Sequence, residues 1–258
     1  MYKGDTLYKC SEERIKETLF GLKQHKDGRK YIISRFEALG CKSEVDDLRN
    51  VYITLPGSSP DSKKIVLSCP DSGDNAGVCT ALEIIETLTA EEISLTHALT
   101  VLLWNDEPSE EEWELLPAMG ALCLEYLPEE IRGDYKDIKP KKSAKGSRQN
   151  RLNTHDFRFM FEVHTAAVPD GVAIADLVTA SVGRPEFRFN EKLTKLTEDS
   201  AAVCAVNAEK LHYSPDRDTW IAANMLPTAV ILVSPDDAGK YADAATVLLN
   251  AVLQADKS

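Results

Sequence analysis

Nowhere in its 258 residues does the chain carry the roughly eighteen consecutive apolar residues that a membrane span needs. It is also short of positive charge: 30 basic against 42 acidic residues give a formal net charge of -12. That balance argues against nucleic acid or an anionic membrane as a partner, because both reward basic surfaces. The six cysteines (Cys10, Cys41, Cys69, Cys79, Cys123 and Cys204) show neither a CxxC pair nor tight spacing, so thiols in a reducing compartment are expected. The opening "MYKGDTLYKC" has no apolar core of the kind a signal peptide needs, and a cytoplasmic location is expected. Apolar, charged and aromatic fractions are those of an ordinary globular protein, long enough to bury a sizeable core. A small-molecule substrate is the expected partner.

Helix-like and strand-like segments alternate along the chain. "SEERIKETLFGLKQH" and "GRKYIISRFEALG" space their apolar residues helically, and Gly40 supplies a C-terminal stop. "NVYITLPG" and "KKIVLS" read as strands separated by the turn-rich "GSSPDS". "NAGVCTALEIIETL" reads as a helix, and "HALTVLLWND" as a buried central strand that ends in acid. "SEEEWELLPAMGALCLEYL" predicts a helix with acids in its first turn. "FRFMFEVHT" and "LPTAVILVS" read as further strands, "FNEKLTKLTEDSAAVCAVNAEKL" as one long helix, and "DDAGKYADAATVLLNAVLQ" as the closing helix. This order predicts an α/β fold: a three-layer α/β/α sandwich around a mostly parallel mixed sheet. A single domain over residues 1–258 is expected, interrupted by a basic, mobile loop at residues 135–153.

Ligands of open α/β sheets sit outside the carboxyl ends of the strands. Cys69, Asp71 and Asp74 follow the second strand; Asn105, Asp106 and Glu107 follow the apolar one. Glu162 and His164 end "FRFMFEVH", Arg217 and Asp218 precede the last strand, and Asp236 and Asp237 follow it. Any one of these carboxylates would be an ordinary helix cap or solvated residue, and a lone His164 an ordinary core histidine. Their convergence at several strand ends is what points to chemistry.

The order of these pieces resembles the zinc-dependent amidohydrolase superfamily of aminoacylases, dipeptidases and carboxypeptidases, in particular its N-carbamoyl amino acid and allantoate amidohydrolase branch. "FEALGCKSEVDDLRNVYITLPGS" is similar to that branch's stretch leading to a "D..GN" turn. "IVLSCPDSGDNAGVCTALEIIETL" is similar to its "GSHLD…DG..GV.A.LE" element, "LLWNDEP" falls at its acidic pair, and "FMFEVHT" at its "ELHIEQ". "SPDRDTWIAANMLPTAVILVS" resembles "SGAGHDA……PT.MIFVPS". The resemblance implies a two-metal centre held by histidines and carboxylates around a bridging aspartate. Carried over, the first histidine position holds Cys69, with its partner aspartate kept as Asp71. Asp74 or Gly73 stands at the bridging position, and the acidic pair is Asp106-Glu107 or Glu107-Pro108. His164 keeps a ligand histidine. Arg217 replaces the histidine before Asp218, and "SPDDAGKYAD" lacks the last ligand histidine. The lid and dimerisation domain that the family inserts after the "ELHIEQ" strand has no room here, so neither it nor a lid-mediated dimer is expected.

Substitution at separate ligand positions predicts loss of the metal centre, and no cofactor is expected. Glu107, His164, Asp71, Asp74 and Glu162 are then candidate acid/base residues, since clustered carboxylates split their pKa values. Cys69, Asn105, Asp106, Arg217 and Asp218 are candidate substrate-binding residues. The favoured reading is metal-independent proton-transfer chemistry (cyclisation, isomerisation or elimination) on a small nitrogenous or carboxylated metabolite. The alternatives are a surviving zinc amidase using Cys69, Asp71, Asp74, Glu107 and His164, and a pseudoenzyme acting as a binding scaffold.

Overall fold

The computed structural model describes residues 6–45, 50–70, 75–104, 156–178, 187–213 and 226–257. Among them, helices α1 (Glu12–Gln24), α2 (Gly28–Ala38), α3 (Asn75–Ala90), α4 (Glu191–Val203) and α5 (Ala238–Asp256) accompany nine strands. The strands are β1 (Lys42–Val45), β2 (Val51–Leu55), β3 (Lys64–Pro70), β4 (Leu99–Trp104), β5 (Phe157–Thr165), β6 (Val172–Val178), β7 (Phe187–Arg188), β8 (Glu209–Tyr213) and β9 (Thr228–Val233). They form one mixed sheet in the order β1-β2-β4-β3-β5-β9-β6-β7, with β8 beside β6. Strands β4, β3, β5 and β9 are mutually parallel and form its centre; β1, β2 and β6 join antiparallel at the flanks.

Local chemistry explains the helix boundaries. Ser11, Asp27, Asn190 and Asp237 cap α1, α2, α4 and α5, each side chain accepting from a backbone N–H in the first turn. Gly40, at φ +86°, ends α2 in the left-handed conformation that favours glycine, while Cys41 N–H bonds back to the Phe36 carbonyl. Helix α4 stops at Val203, not at Leu211 as its periodicity suggests. Ala205 turns the chain at φ +56°, and Glu209, Lys210 and Leu211 belong to β8. A local apolar period cannot register that β6 offers an edge to pair with.

The five helices pack on one another and on one face of the sheet. Ile65, Leu67, Val101, Phe159, Phe161, Val163, Ile231 and Val233 face them in one continuous core with Leu82, Ile85, Leu248 and Val252. Helix α3 is buried over nearly its whole length, which explains two acids within it. Glu83 takes a two-pronged bond from Arg14 of α1 (2.9 and 2.6 Å), and Glu86 pairs with Arg35 of α2. The other face of the sheet is closed as well: Val66, Leu102, Trp104, Met160, Val230 and Leu232 are all buried. A sheet covered on both sides is the layering the sequence predicts. The five described cysteines are all thiols.

Candidate active site

Strand β5 lies at the centre of the sheet, between β3 and β9. Its side chains alternate: Phe159, Phe161 and Val163 enter the helix-side core, while Met160, Glu162 and His164 point to the other face. Two neighbours on that face are therefore ionisable, and both are buried, Glu162 to 2% and His164 to 6% exposure. They bond to each other. His164 Nε2 lies 2.6 Å from Glu162 Oε1. A carboxylate can only accept, so Nε2 carries the proton that this bond shares. Burial strengthens such a charge-assisted bond and makes either partner costly to remove alone.

Further polar and aromatic groups share that face. Ser68 of β3 is the register partner of Glu162, and its Oγ accepts a bond of 2.7 Å from the indole Nε1 of Trp104 on β4. From β8, the Tyr213 ring stands 5.6 Å from the His164 ring, centre to centre, tilted by 41°. Sequence reasoning did not single out Ser68 or Tyr213. The signal for Ser68 was available in "IVLSCP": a period of two puts Ser68 and Cys69 on opposite faces. For Tyr213 it was adjacency, since Tyr213 immediately precedes "SPDRDTW".

Cys69 lies apart from this pair. Its side chain is only 1% exposed and belongs to the helix-side core. A methyl group added at Gly77 of α3 would meet Cys69 Cβ at 3.1 Å and Sγ at 3.3 Å, so the thiol lies directly beneath that helix. Continuing the register of Ser68 with Glu162, Cys69 falls level with Val163 and shares its face; Pro70 falls level with His164. The pleat thus turns Cys69 away from the pair, and it does not line a substrate pocket with them. Asp71, Asp74, Asn105, Asp106, Glu107, Arg217 and Asp218 lie outside the described residues, as does the loop at 135–153.

The same geometry tests the metal centre that the resemblance implies. Of its ligand positions the described residues include two, Cys69 and His164. They lie on opposite faces of the sheet. The remaining ligand positions lie outside the described residues.

The fold places the chain in a known structural class, the amidohydrolase and peptidase α/β/α sandwich. It is similar to a hydantoinase/carbamoylase-family amidase from Burkholderia vietnamiensis, with a TM-score of 0.71 at 14% identity over 97% of this chain and 98% of that one. It is similar also to AtUAH, solved in complex with (S)-hydroxyglycine, with a TM-score of 0.74 at 9% identity over 98% and 99% of the two chains. A tripeptidase from Staphylococcus aureus aligns at a TM-score of 0.62 and 10% identity, over 97% and 100%. No family model and no curated protein matches the sequence. At these identities the likeness is one of fold.

Proposed function

We propose that the protein is an enzyme with the amidohydrolase fold that works without the two-metal centre, transferring protons on a small nitrogenous or carboxylated metabolite. The observation that carries this reading is the buried Glu162–His164 pair, joined at 2.6 Å on the face opposite Cys69. In this reading His164 Nδ1 takes a proton from the substrate. Glu162 accepts from Nε2 and stabilises the imidazolium that forms, as a buried carboxylate beside a histidine does. Glu107, following β4, is the proposed proton donor; Asp71 and Asp74, following β3, are proposed to orient the pair and the substrate. Asn105, Asp106, Arg217 and Asp218 are the proposed binding groups. Cyclisation, isomerisation and elimination all fit, since each needs one proton removed and another returned nearby. The proposal includes a single domain with no lid, and the cytoplasm as its place of action.

Turnover is the test. The purified protein would be screened against N-carbamoyl and N-acyl amino acids, and then against ureido and carboxylated metabolites, with and without chelator. The reading expects activity that survives chelation and falls by roughly a hundredfold or more in Glu162→Gln and His164→Ala, the usual scale of general acid/base catalysis. Activity abolished by chelator and restored by zinc would replace it with the amidase reading. A folded protein that binds ligands from the screen but turns over none would replace it with a binding scaffold.

A further inference from the structure

We propose that Arg158 is a positioning residue for the Glu162–His164 pair: it pins a bulge at the start of β5 that determines which face of the sheet the pair occupies. The functional meaning of this role rests on the acid/base reading above; its geometry does not. Where β5 enters the sheet, Lys64 of β3 is level with Phe157, but the next residue, Ile65, is level with Phe159. Arg158 therefore has no register partner on β3, and pairing with β9 begins only at Met160. One residue too many on one strand is a β-bulge, a device that re-aims the side chains beyond it. Past this one, Ser68 is level with Glu162. Had the entry register run on unbroken, Cys69 would be level with Glu162, and residues that stand level in a sheet share a face. The pair would then face the helices together with Cys69. The extra residue is what sets them apart.

An unpaired residue needs something to hold it, since a bulge that moves or straightens changes the register of the residues beside it. Arg158 has three holds. Its Nη1 donates to His97 Nε2 at 3.1 Å and to the Ala255 carbonyl at 3.4 Å. Its guanidinium carbon lies 5.5 Å from the centre of the Phe159 ring, within reach of a cation–π attraction. An arginine only donates, so Nε2 of His97 accepts and the ring proton sits on Nδ1. Nδ1 in turn donates to Asp256 at 2.9 Å. Ala255 and Asp256 end α5, and the carbonyl end of a helix favours a cation. The bulge is thus tied to α5 and to the entrance of β4, and not to the β3–β5 pairing alone.

The test uses the full chain, isotope-labelled, and compares wild type with Arg158→Leu and His97→Asn. The asparagine amide takes the place of Nδ1 towards Asp256 but offers Arg158 nothing at the Nε2 position. Cross-strand NOEs between β3 and β5 read the register. Wild type is expected to give one set, with Ser68 level with Glu162. Both variants are expected to add a second set displaced by one residue, with new amide signals for Glu162 and His164, while the amides of α1 keep their positions. Where the screen has found a substrate, both variants should also lower kcat by about tenfold to a hundredfold, the scale of a misplaced catalytic group, with a smaller change in KM. A single wild-type set of NOEs in folded Arg158→Leu overturns the inference, and so does a lower Tm with unchanged kcat. Should Arg158→Leu not fold, His97→Asn decides by the same reading. Absence of turnover in wild type would sink the acid/base reading alone, and the NOEs would still decide the role of Arg158.

Discussion

Replacing Asp256 by alanine removes one carboxylate that ties the end of α5 to the entrance of β4. That carboxylate accepts bonds from the backbone N–H groups of Thr96 and His97, both at 2.8 Å, and from His97 Nδ1 at 2.9 Å. His97 in turn accepts from Arg158 of β5 at 3.1 Å, so three elements meet there. An aspartate at the C-terminal end of a helix opposes the dipole, and only these donors make it favourable. Alanine leaves two backbone donors and one ring donor in a largely buried place without their acceptor. At about 1–3 kcal/mol for each donor left unsatisfied, and with water reaching some of them, the loss is about 2–4 kcal/mol. For a chain of this size that lowers Tm by about 5–12 °C. Asparagine keeps one acceptor oxygen and should lose about half as much. The pH dependence has a definite sign. Burial pushes the Asp256 carboxyl up, but hydrogen bonds from the backbones and side chains of His97 and Thr96 outweigh it and hold the group below the ordinary carboxylate value. A carboxyl lowered on folding stabilises fully above its unfolded value, and that contribution drains away as pH falls through the folded one. Calorimetry of wild type and Asp256→Ala at pH 7 should show the full gap in Tm, and at pH 3 a smaller one. Equal Tm values at pH 7, or a gap that widens in acid, would refute the reasoning.

Glu83→Ala takes from Arg14 its two-pronged partner, leaving it Glu86 at 3.5 Å and the Thr87 hydroxyl at 2.8 Å, and should cost about 1–3 kcal/mol in chemical denaturation, whereas Arg14→Met with Glu83→Leu should recover much of that loss. Gly77→Ala should lack the stabilisation of about 0.5–1 kcal/mol that an exposed helical Gly→Ala change brings, because the new methyl group meets Cys69 Cβ at 3.1 Å; a rise in Tm of that size would mean that α3 sits further from β3. Cys69→Ala should cost about 1–2 kcal/mol, as loss of a small core group does, and leave turnover unchanged; a loss of activity without a loss of stability would return Cys69 to the site. Burial pushes the Cys10 thiol up to about 12, so alkylation at pH 8 should find Cys10 only once the protein is unfolded.

The sheet's centre and the helix caps were legible because they depend on local patterns. "ALTVLLW" and "TAVILV" are near-continuous apolar runs, and Ser11, Asp27 and Asp237 stand at capping positions before periodic segments. Strands β1 and β8 were not, because short polar-alternating strands are held by their partners: β8 exists because β6 lies open beside it. In the site, Glu162 and His164 could be read from the strand that ends in them. The face that Cys69 takes was harder to read, because alignment by motif compares positions along the chain, whereas the pleat assigns faces by parity. Adjacency to "SPDRDTW" was the one signal for Tyr213; its approach to His164 depends on the order β5-β9-β6-β8, which no local pattern carries.

In the proposed reading the chemistry runs through Glu162 and His164 themselves, not through metal ions. Elemental analysis of the protein, purified without chelator and then dialysed against zinc, decides this when wild type is compared with His164→Ala. Well below one equivalent of zinc is expected in both. Stoichiometric zinc in wild type that disappears in His164→Ala would contradict it, because His164 would then be a ligand and Glu162 its support.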